Sequence, residues 1–306
     1  MSLTISTCDN SSQASLIREF LLRSHEMLNS LHNWDPRRWD GYLFDRDNAA
    51  LADVNKRMGR EVPMVFRKGK LVGFAVPEYP GGVHVQVIPD DAPVQVTLIE
   101  WAEEHLRQPK EGGGSWLEVH CLDSDLIRKQ ILRGRGFAPL EEFERIYTRT
   151  LRDRVPRFAL PAGYAFANAR RRDGEAMAEL FNAAFGRTTH SAQQWSNFTS
   201  LAPSYRSDMQ IVATAPDGSI ASNAGFAVYM DQSFAVVEPV CTHPAHANRG
   251  LAKAVLSEGM GRAAELGIHS VYVGAWHSNP VSNHVYQTLG FGEPRRLRIW
   301  RREYAD

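Results

Sequence analysis

Apolar and polar residues alternate along the chain in short runs, and these are interleaved with longer stretches where apolar residues recur every three or four positions. Period two marks strands, and a period near 3.6 marks helices. In the second half the pattern predicts strands over 164–169, 210–215, 220–229, 234–242, 270–275 and 296–304. Helices are predicted over 174–185 and 191–201, and from residue 251 onward. Pro216, Asp217 and Gly218 separate two of these strands with turn-forming residues, which reads as a hairpin. The first half repeats the order, with a strand at 3–7, a helix at 13–31 and a hairpin of 64–67 with 71–76 across Lys68, Gly69 and Lys70. A strand at 83–88, a helix at 94–106, a strand at 116–121, a helix at 126–132 and a strand at 143–150 complete it. The two halves read as tandem copies of one α/β unit. Arg152, Asp153, Arg154, Pro156 and Pro161 break the periodicity, so the boundary is expected within 151–163, dividing the chain into 1–152 and 153–306.

A length of 306 residues suits two ordinary domains. Lys plus Arg equals Asp plus Glu, 35 each, which gives no global attraction to nucleic acid or an anionic membrane. With no apolar run of about twenty residues, the expectation is a cytoplasmic protein, monomer or homodimer, whose partner is a small molecule or a peptide. Cys8, Cys121 and Cys241 are odd in number and widely spaced, which argues against a disulfide framework. No His or Cys pair has zinc-site spacing, so no metal is expected.

Two junctions carry candidate chemistry. The strand over 234–242 is stopped by Pro244, and a small-residue loop then opens into a helix whose face is Ala252, Val255, Leu256, Gly259, Met260 and Ala263. The first amides of a helix lack internal partners and lie at its positive end, so this loop can cradle an anion. Downstream, the strand over 270–275 leads to Asn279, Pro280 and a short helix carrying Ser282 and Tyr286. Gly290, between Leu289 and Phe291, suits the left-handed cap that ends it.

The loop Ala247, Asn248, Arg249, Gly250, Leu251, Ala252 resembles motif A of the GNAT superfamily of acyl-CoA-dependent N-acetyltransferases. The Asn279 to Phe291 unit resembles the segment that follows it in that family. One position departs from the pattern, since Ala247 stands where Arg or Gln is usual. That removes a side chain and leaves the backbone amides, and Arg249 offers a replacement charge. The resemblance implies an α/β fold with a mixed sheet, built as two tandem GNAT-like domains. It implies acetyl-CoA as co-substrate, held by the backbone of Val240, Cys241 and Thr242, by residues 247 to 252, and by Asn279 and Ser282. It also implies direct attack of a primary amine on the thioester in a ternary complex.

Such a reaction needs a base and an acid. Glu238 is the one carboxylate on the strand before the loop, and among Val236, Val237 and Val240 it is expected to be buried, with a raised pKa that suits a general base; the alternative is that it binds a partner's charge or pairs with a nearby Arg. His243 is the second candidate base, or else an ordinary turn residue. Tyr286 is the family-matched acid for the departing thiolate. An acyl-cysteine route through Cys241 lacks a His or Asp partner.

Matching the halves by their Pro and Gly-Phe landmarks sets Pro89 against Pro244, and the loop after Pro89 reads Asp90, Asp91, Ala92, Pro93. Val83, Asp125 and Leu132 then stand against Glu238, Asn279 and Tyr286. The first half is therefore expected to be degenerate, supporting the second and walling its pocket. A non-catalytic acyl-CoA-binding module, which can dispense with Glu238 and Tyr286, and a transferase of a different acyl or aminoacyl group are the competing readings. Arg295, Arg296, Arg298, Arg301 and Arg302 are expected on a solvated edge strand, the alternative being a site for an acidic substrate or nucleic acid. Trp195 and Tyr205 are expected either to line an acceptor pocket or to pack.

Overall fold

In a computed structural model, which describes residues 2–152 and 155–305, the strands of both halves join one mixed sheet. The expected boundary at 152/153 falls on Asp153 and Arg154, which lie outside the described residues. The first half contains β1 (Leu3–Thr7), α1 (Ser11–Leu28), α2 (Pro36–Phe44), α3 (Asn48–Ala52), α4 (Val54–Glu61), β2 (Pro63–Arg67), β3 (Lys70–Tyr79) and β4 (Gly82–Val87). It continues with α5 (Ala92–His105), β5 (Gln108–Pro109), β6 (Ser115–Leu122), α6 (Leu126–Gly134) and β7 (Ala138–Thr150). The second half contains β8 (Ala165–Asn168), α7 (Gly174–Phe185), α8 (Ala192–Leu201), β9 (Gln210–Thr214), β10 (Ile220–Tyr229) and β11 (Phe234–Thr242). It ends with α9 (Leu251–Glu265), β12 (Ser270–Trp276), α10 (Pro280–Thr288) and β13 (Arg295–Tyr304).

Each half buries apolar side chains on both faces of its strands. Along β9, Ile211 and Ala213 join the core under α9, whereas Val212 between them joins Met177, Leu180 and Trp195 of α7 and α8. The first half repeats the arrangement. Val65 and Ala75 pack toward Leu98 and Ile99 of α5, while Met64, Phe74 and Val76 pack toward Ile17 and Phe20 of α1 and Trp39 of α2. In α9 the helix approaches the sheet closely at Gly259, where a Cβ would sit 2.1 Å from Phe226 Cε2.

The halves exchange their last strands. β7 of the first half pairs with β12 of the second, and β13 of the second half lies between β6 and β7. The expectation that the arginines of β13 lie on a solvated edge is therefore wrong, because this strand is central. Its cations meet acids of the first half: Arg298 lies 3.3 Å from Asp123, Arg301 lies 2.9 Å from Glu118, and Arg302 lies 2.6 Å from Glu103. The exchange extends to the cores, since Trp300 of β13 packs in the first half's core and Tyr147 of β7 in the second's.

Periodicity did not predict α2, α3 and α4. Their signals were local and short: Asp35 caps α2 by accepting from Arg38 N, Pro36 occupies its first turn, and Trp39, Tyr42 and Leu43 form a three-and-four-spaced buried face. Asp47 caps α3 in the same way.

Candidate active site

Strands β11 and β12 run parallel and are paired from Phe234 and Ser270 up to Val237 and Val273. Beyond that point they part. β11 keeps its other edge on β10 through Val240, Cys241 and Thr242, and β12 keeps its other edge on β7 through Gly274 to Trp276. The wedge between them exposes a strand edge that an extended chain can pair with. At the parting point β11 carries one residue more than β10, since Phe226 pairs Val237 while Ala224 pairs Val240. Asn223 Nδ2 holds this bulge by donating to Pro239 O at 2.9 Å.

At one end of the wedge stands the loop of residues 247 to 250, which is solvent-exposed. Gly250 caps the start of α9 in the left-handed region (φ 77°), Asn248 before it is left-handed too (φ 60°), and among the described residues no side chain caps the helix. Its first amides are thus left for an outside acceptor, at the positive end of fifteen helical residues. Leu251 is buried and Ala252 half-buried, and Arg249 is exposed beside them. His243 accepts from Ala245 N at 3.2 Å, so it acts as a turn residue.

At the other end lies a cavity of about 430 Å³ whose lining includes Glu238, Val240, Asn279, Ser282 and Tyr286. Asn279 caps α10 by accepting from Ser282 N at 3.1 Å. Tyr286, 3% exposed, reaches the cavity from that helix. Burial pushes its phenol well above the ordinary value, and the Ser282 hydroxyl opposes this only in part. β7 of the first half braces the helix: Tyr147 donates to Asn283 Oδ1 at 3.0 Å, and Arg149 donates to Leu289 O. Cys241 is buried in the α7 side of the core, which pushes its thiol up to about 12, so it is not a ready nucleophile.

Glu238 departs from expectation. Its side chain is 40% exposed and opens into the cavity, because the bulge turns it out of the valine-lined strand. The premise of burial among Val236, Val237 and Val240 therefore fails. Its carboxylate lies 3.9 Å from Arg38 Nε, and that guanidinium also bonds Glu144 and lies 3.7 Å from Asp35. Arg38, Asp35, Glu78, Glu144 and Trp34 all belong to the first half and line the same cavity. Sequence reasoning missed Asp35 and Arg38 because α2 was not predicted, the Asp35-Pro36 cap being the available signal, and it missed Glu78 on β3 and Glu144 on β7 because no local pattern says that these strands face the second half. Trp195 lines the cavity as well as packing, donating to Arg170 O at 2.9 Å, whereas Tyr205 packs and donates to Ala169 O.

The equivalent place in the first half is occupied. β4 and β6 pair from Gly82 and Glu118 to His84 and His120, and then part as β11 and β12 do. Counted from the hairpin glycines Gly69 and Gly218, Pro77 stands against Phe226, so their partners Val83 and Val237 stand together and His84 stands against Glu238; the landmark count put Val83 there because the extra residue of the β11 bulge was invisible. Residues 31–35 sit over the parted strands. Asn33 Nδ2 donates to Val85 O at 2.7 Å, Asn33 O meets His84 Nδ1 at 3.1 Å, and Trp34 N donates to Gln86 Oε1. The loop before α5 carries Asp91, held by Arg67 at 2.6 Å, and Pro93 removes one of the first amides.

Among the described residues, one trio brings potential metal ligands together: Glu78, His84 and His120, whose ligand atoms lie within 4.8 Å of one another. The two imidazoles, however, are stacked with centroids 3.9 Å apart and planes 17° from parallel. Their in-plane lone pairs do not converge on a single ion. The trio is instead a hydrogen-bonded row, with Glu78 on His84 at 2.9 Å and Tyr79, itself donating to Glu118, on His120 at 3.2 Å. The cavity walls raise the Glu78 carboxyl, but Arg38 and His84 outweigh them and hold it well below the usual range.

Residues 174–291 match the model of the acetyltransferase (GNAT) family. Among curated proteins none matches the sequence. A solved GCN5-related N-acetyltransferase from Sphaerobacter thermophilus superposes with TM-score 0.67 at 18% identity, over 99% of this chain and 96% of that one. A tandem GNAT protein from the clavulanic acid biosynthesis pathway superposes with TM-score 0.61 at 15% identity, over 99% and 98%. A GNAT-family acetyltransferase from Colwellia psychrerythraea gives 0.62 at 12%, over 98% and 99%. At such identities the likeness is one of fold, and it spans both halves. No helix among the described residues is long and apolar enough to cross a membrane. The second half therefore carries a GNAT-family acetyltransferase domain over residues 174–291, and the chain as a whole shares the fold of tandem GNAT proteins.

Proposed function

We propose that the protein is an acetyl-CoA-dependent N-acetyltransferase, acting on the primary amine of a small molecule or peptide at one site in the second half. The observation that carries this reading is the open wedge between β11 and β12. It has uncapped helix amides at one end and the cavity of Glu238 and Tyr286 at the other. In this reading the pyrophosphate rests on the amides of residues 247 to 252, with Arg249 beside it. The pantetheine arm pairs with the free edge at Val240, Cys241 and Thr242, and Asn279 and Ser282 flank the thioester.

The acceptor arrives as an ammonium, which is not a nucleophile until it loses a proton. Glu238, open to the cavity beside Arg38, binds that cation. Once neutral, the amine nitrogen bonds to the thioester carbon, the C–S bond breaks, and Tyr286 protonates the departing sulfur. The second proton shed by the nitrogen restores the phenol, so each turnover yields an amide, CoA thiol and one proton. The upward shift of Tyr286 keeps it protonated until a thiolate develops. A purely CoA-binding protein has no use for this carboxylate and phenol in one cavity, which favours the enzyme.

The test is calorimetry with acetyl-CoA, followed by thiol-release assays against a panel of diamines, amino sugars, amino acids and peptide N-termini. Binding together with amine-dependent thiol release is the expected result. Binding without release from any amine would favour the CoA-binding module.

A further inference from the structure

The first half places a second carboxylate beside Glu238. Asp35 is the cap of α2, where its Oδ1 accepts from Arg38 N at 2.9 Å, and the residue is 8% exposed. Its Oδ2 lies 3.7 Å from the same Arg38 Nε that lies 3.9 Å from Glu238 Oε2. The two oxygens are thus no further apart than the sum of those distances, and both residues line the cavity that Tyr286 reaches. One carboxylate is enclosed and the other open, which is the arrangement that separates two acids into different roles.

We propose that Asp35, supplied by the first half, accepts the proton of the acceptor ammonium, while Glu238 across Arg38 holds the ammonium in place. The inference rests on the N-acetyltransferase reading. The N–H bond of the ammonium breaks, its electron pair stays on nitrogen, and the proton passes to the Asp35 carboxylate and then to solvent. The charged and titratable groups around Asp35 are Arg37, Arg38 and Asp40 on its own helix, Glu78 on β3, Glu144 on β7, Tyr229 on β10, Glu238 on β11, Tyr272 on β12 and Tyr286 on α10. Asp45, Arg187 and His190 line the same cavity, and α8 contributes no charged side chain. Burial pushes the Asp35 carboxyl up to about 7, with Arg38 pulling down and Glu238 pushing up. A base with that value is matched to proton transfer at neutral pH.

Asp35→Asn tests this cleanly, because Asn caps a helix as well as Asp does. The measurement is the pH profile of kcat/KM for the wild type, Asp35→Asn and Glu238→Gln, using acetyl-CoA and the best amine of the panel. Thermal melting and acetyl-CoA calorimetry serve as controls for folding and for the donor site. The wild type should lose activity on the acid side with an inflection near 7. Asp35→Asn should lower kcat by about a hundredfold or more and abolish that inflection, with acetyl-CoA affinity unchanged. Glu238→Gln should raise KM for the amine and move the inflection to lower pH, because the like charge that raises Asp35 is gone. An Asp35→Asn enzyme that keeps its turnover and its inflection overturns the proposal, as does loss of the inflection in Glu238→Gln alone. Failure of the wild type to bind acetyl-CoA or acetylate any amine would instead remove the underlying reading.

Discussion

The two wedges of the sheet differ in what fills them. Between β11 and β12 the strands part after Val237 and Val273, and the edge at Val240 to Thr242 is left open. Between β4 and β6 they part after His84 and His120, and residues 31–35 lie in the gap with the Asn33 amide on Val85 O. Allowing for the bulge, Val85 stands where Val240 stands, so the first half makes with its own chain a contact that the second half leaves open. The helices that follow differ in the same sense. α9 begins at a bare Gly250, whereas α5 begins behind Asp91 with Pro93 in its first turn. In the proposed reading an acyl-CoA uses both a free strand edge and a free helix end. The first half has spent both, and what it contributes instead is a wall of carboxylates facing Glu238.

The comparison is broken most severely by attacking the strand exchange. Trp300 sits in the first half's core at 1% exposure, although it belongs to the last strand of the chain. Trp300→Ala should cost roughly 3–5 kcal/mol, read by denaturant unfolding, and should lower the stability of both halves together. Separate unfolding of two domains would contradict the exchange. Next in size, Tyr286→Phe should reduce turnover by about a hundredfold or more while leaving acetyl-CoA affinity in place, and an unchanged rate would remove Tyr286 from the chemistry. Ala252→Asp gives α9 an acid such as Asp91 provides beside α5. Repulsion at the helix end of about 1 kcal/mol or more should weaken acetyl-CoA binding by roughly tenfold, with less effect at high salt. The smallest expected effect belongs to Tyr147→Phe, which removes the hydroxyl that braces Asn283. A loss of about 1 kcal/mol is expected, with a modest fall in kcat as α10 loosens.

Much of this was legible in the sequence. The strands over 220–229 and 234–242, the helix over 174–185, and the loop and helix after Gly250 lie where periodicity and turn residues put them, because each element reports its own burial. What the sequence concealed was non-local. Nothing in the arginine-rich run of β13 says that acids on β6 and α5 neutralise it, so a central strand read as an edge. The bulge at Glu238 is one extra residue whose effect shows only when the strand is paired, and it turned an expected buried base into an open carboxylate. Part of the cavity's second wall comes from a nine-residue helix too short for periodicity to reveal, although Asp35 and Pro36 announce its start, and the rest from β3 and β7.

The most direct test is the stoichiometry of acetyl-CoA binding to the intact chain, measured by titration calorimetry on the wild type and on Ala252→Asp. The account predicts one site per chain, weakened roughly tenfold by the substitution. Two sites per chain, or one site whose affinity ignores Ala252→Asp, would contradict it.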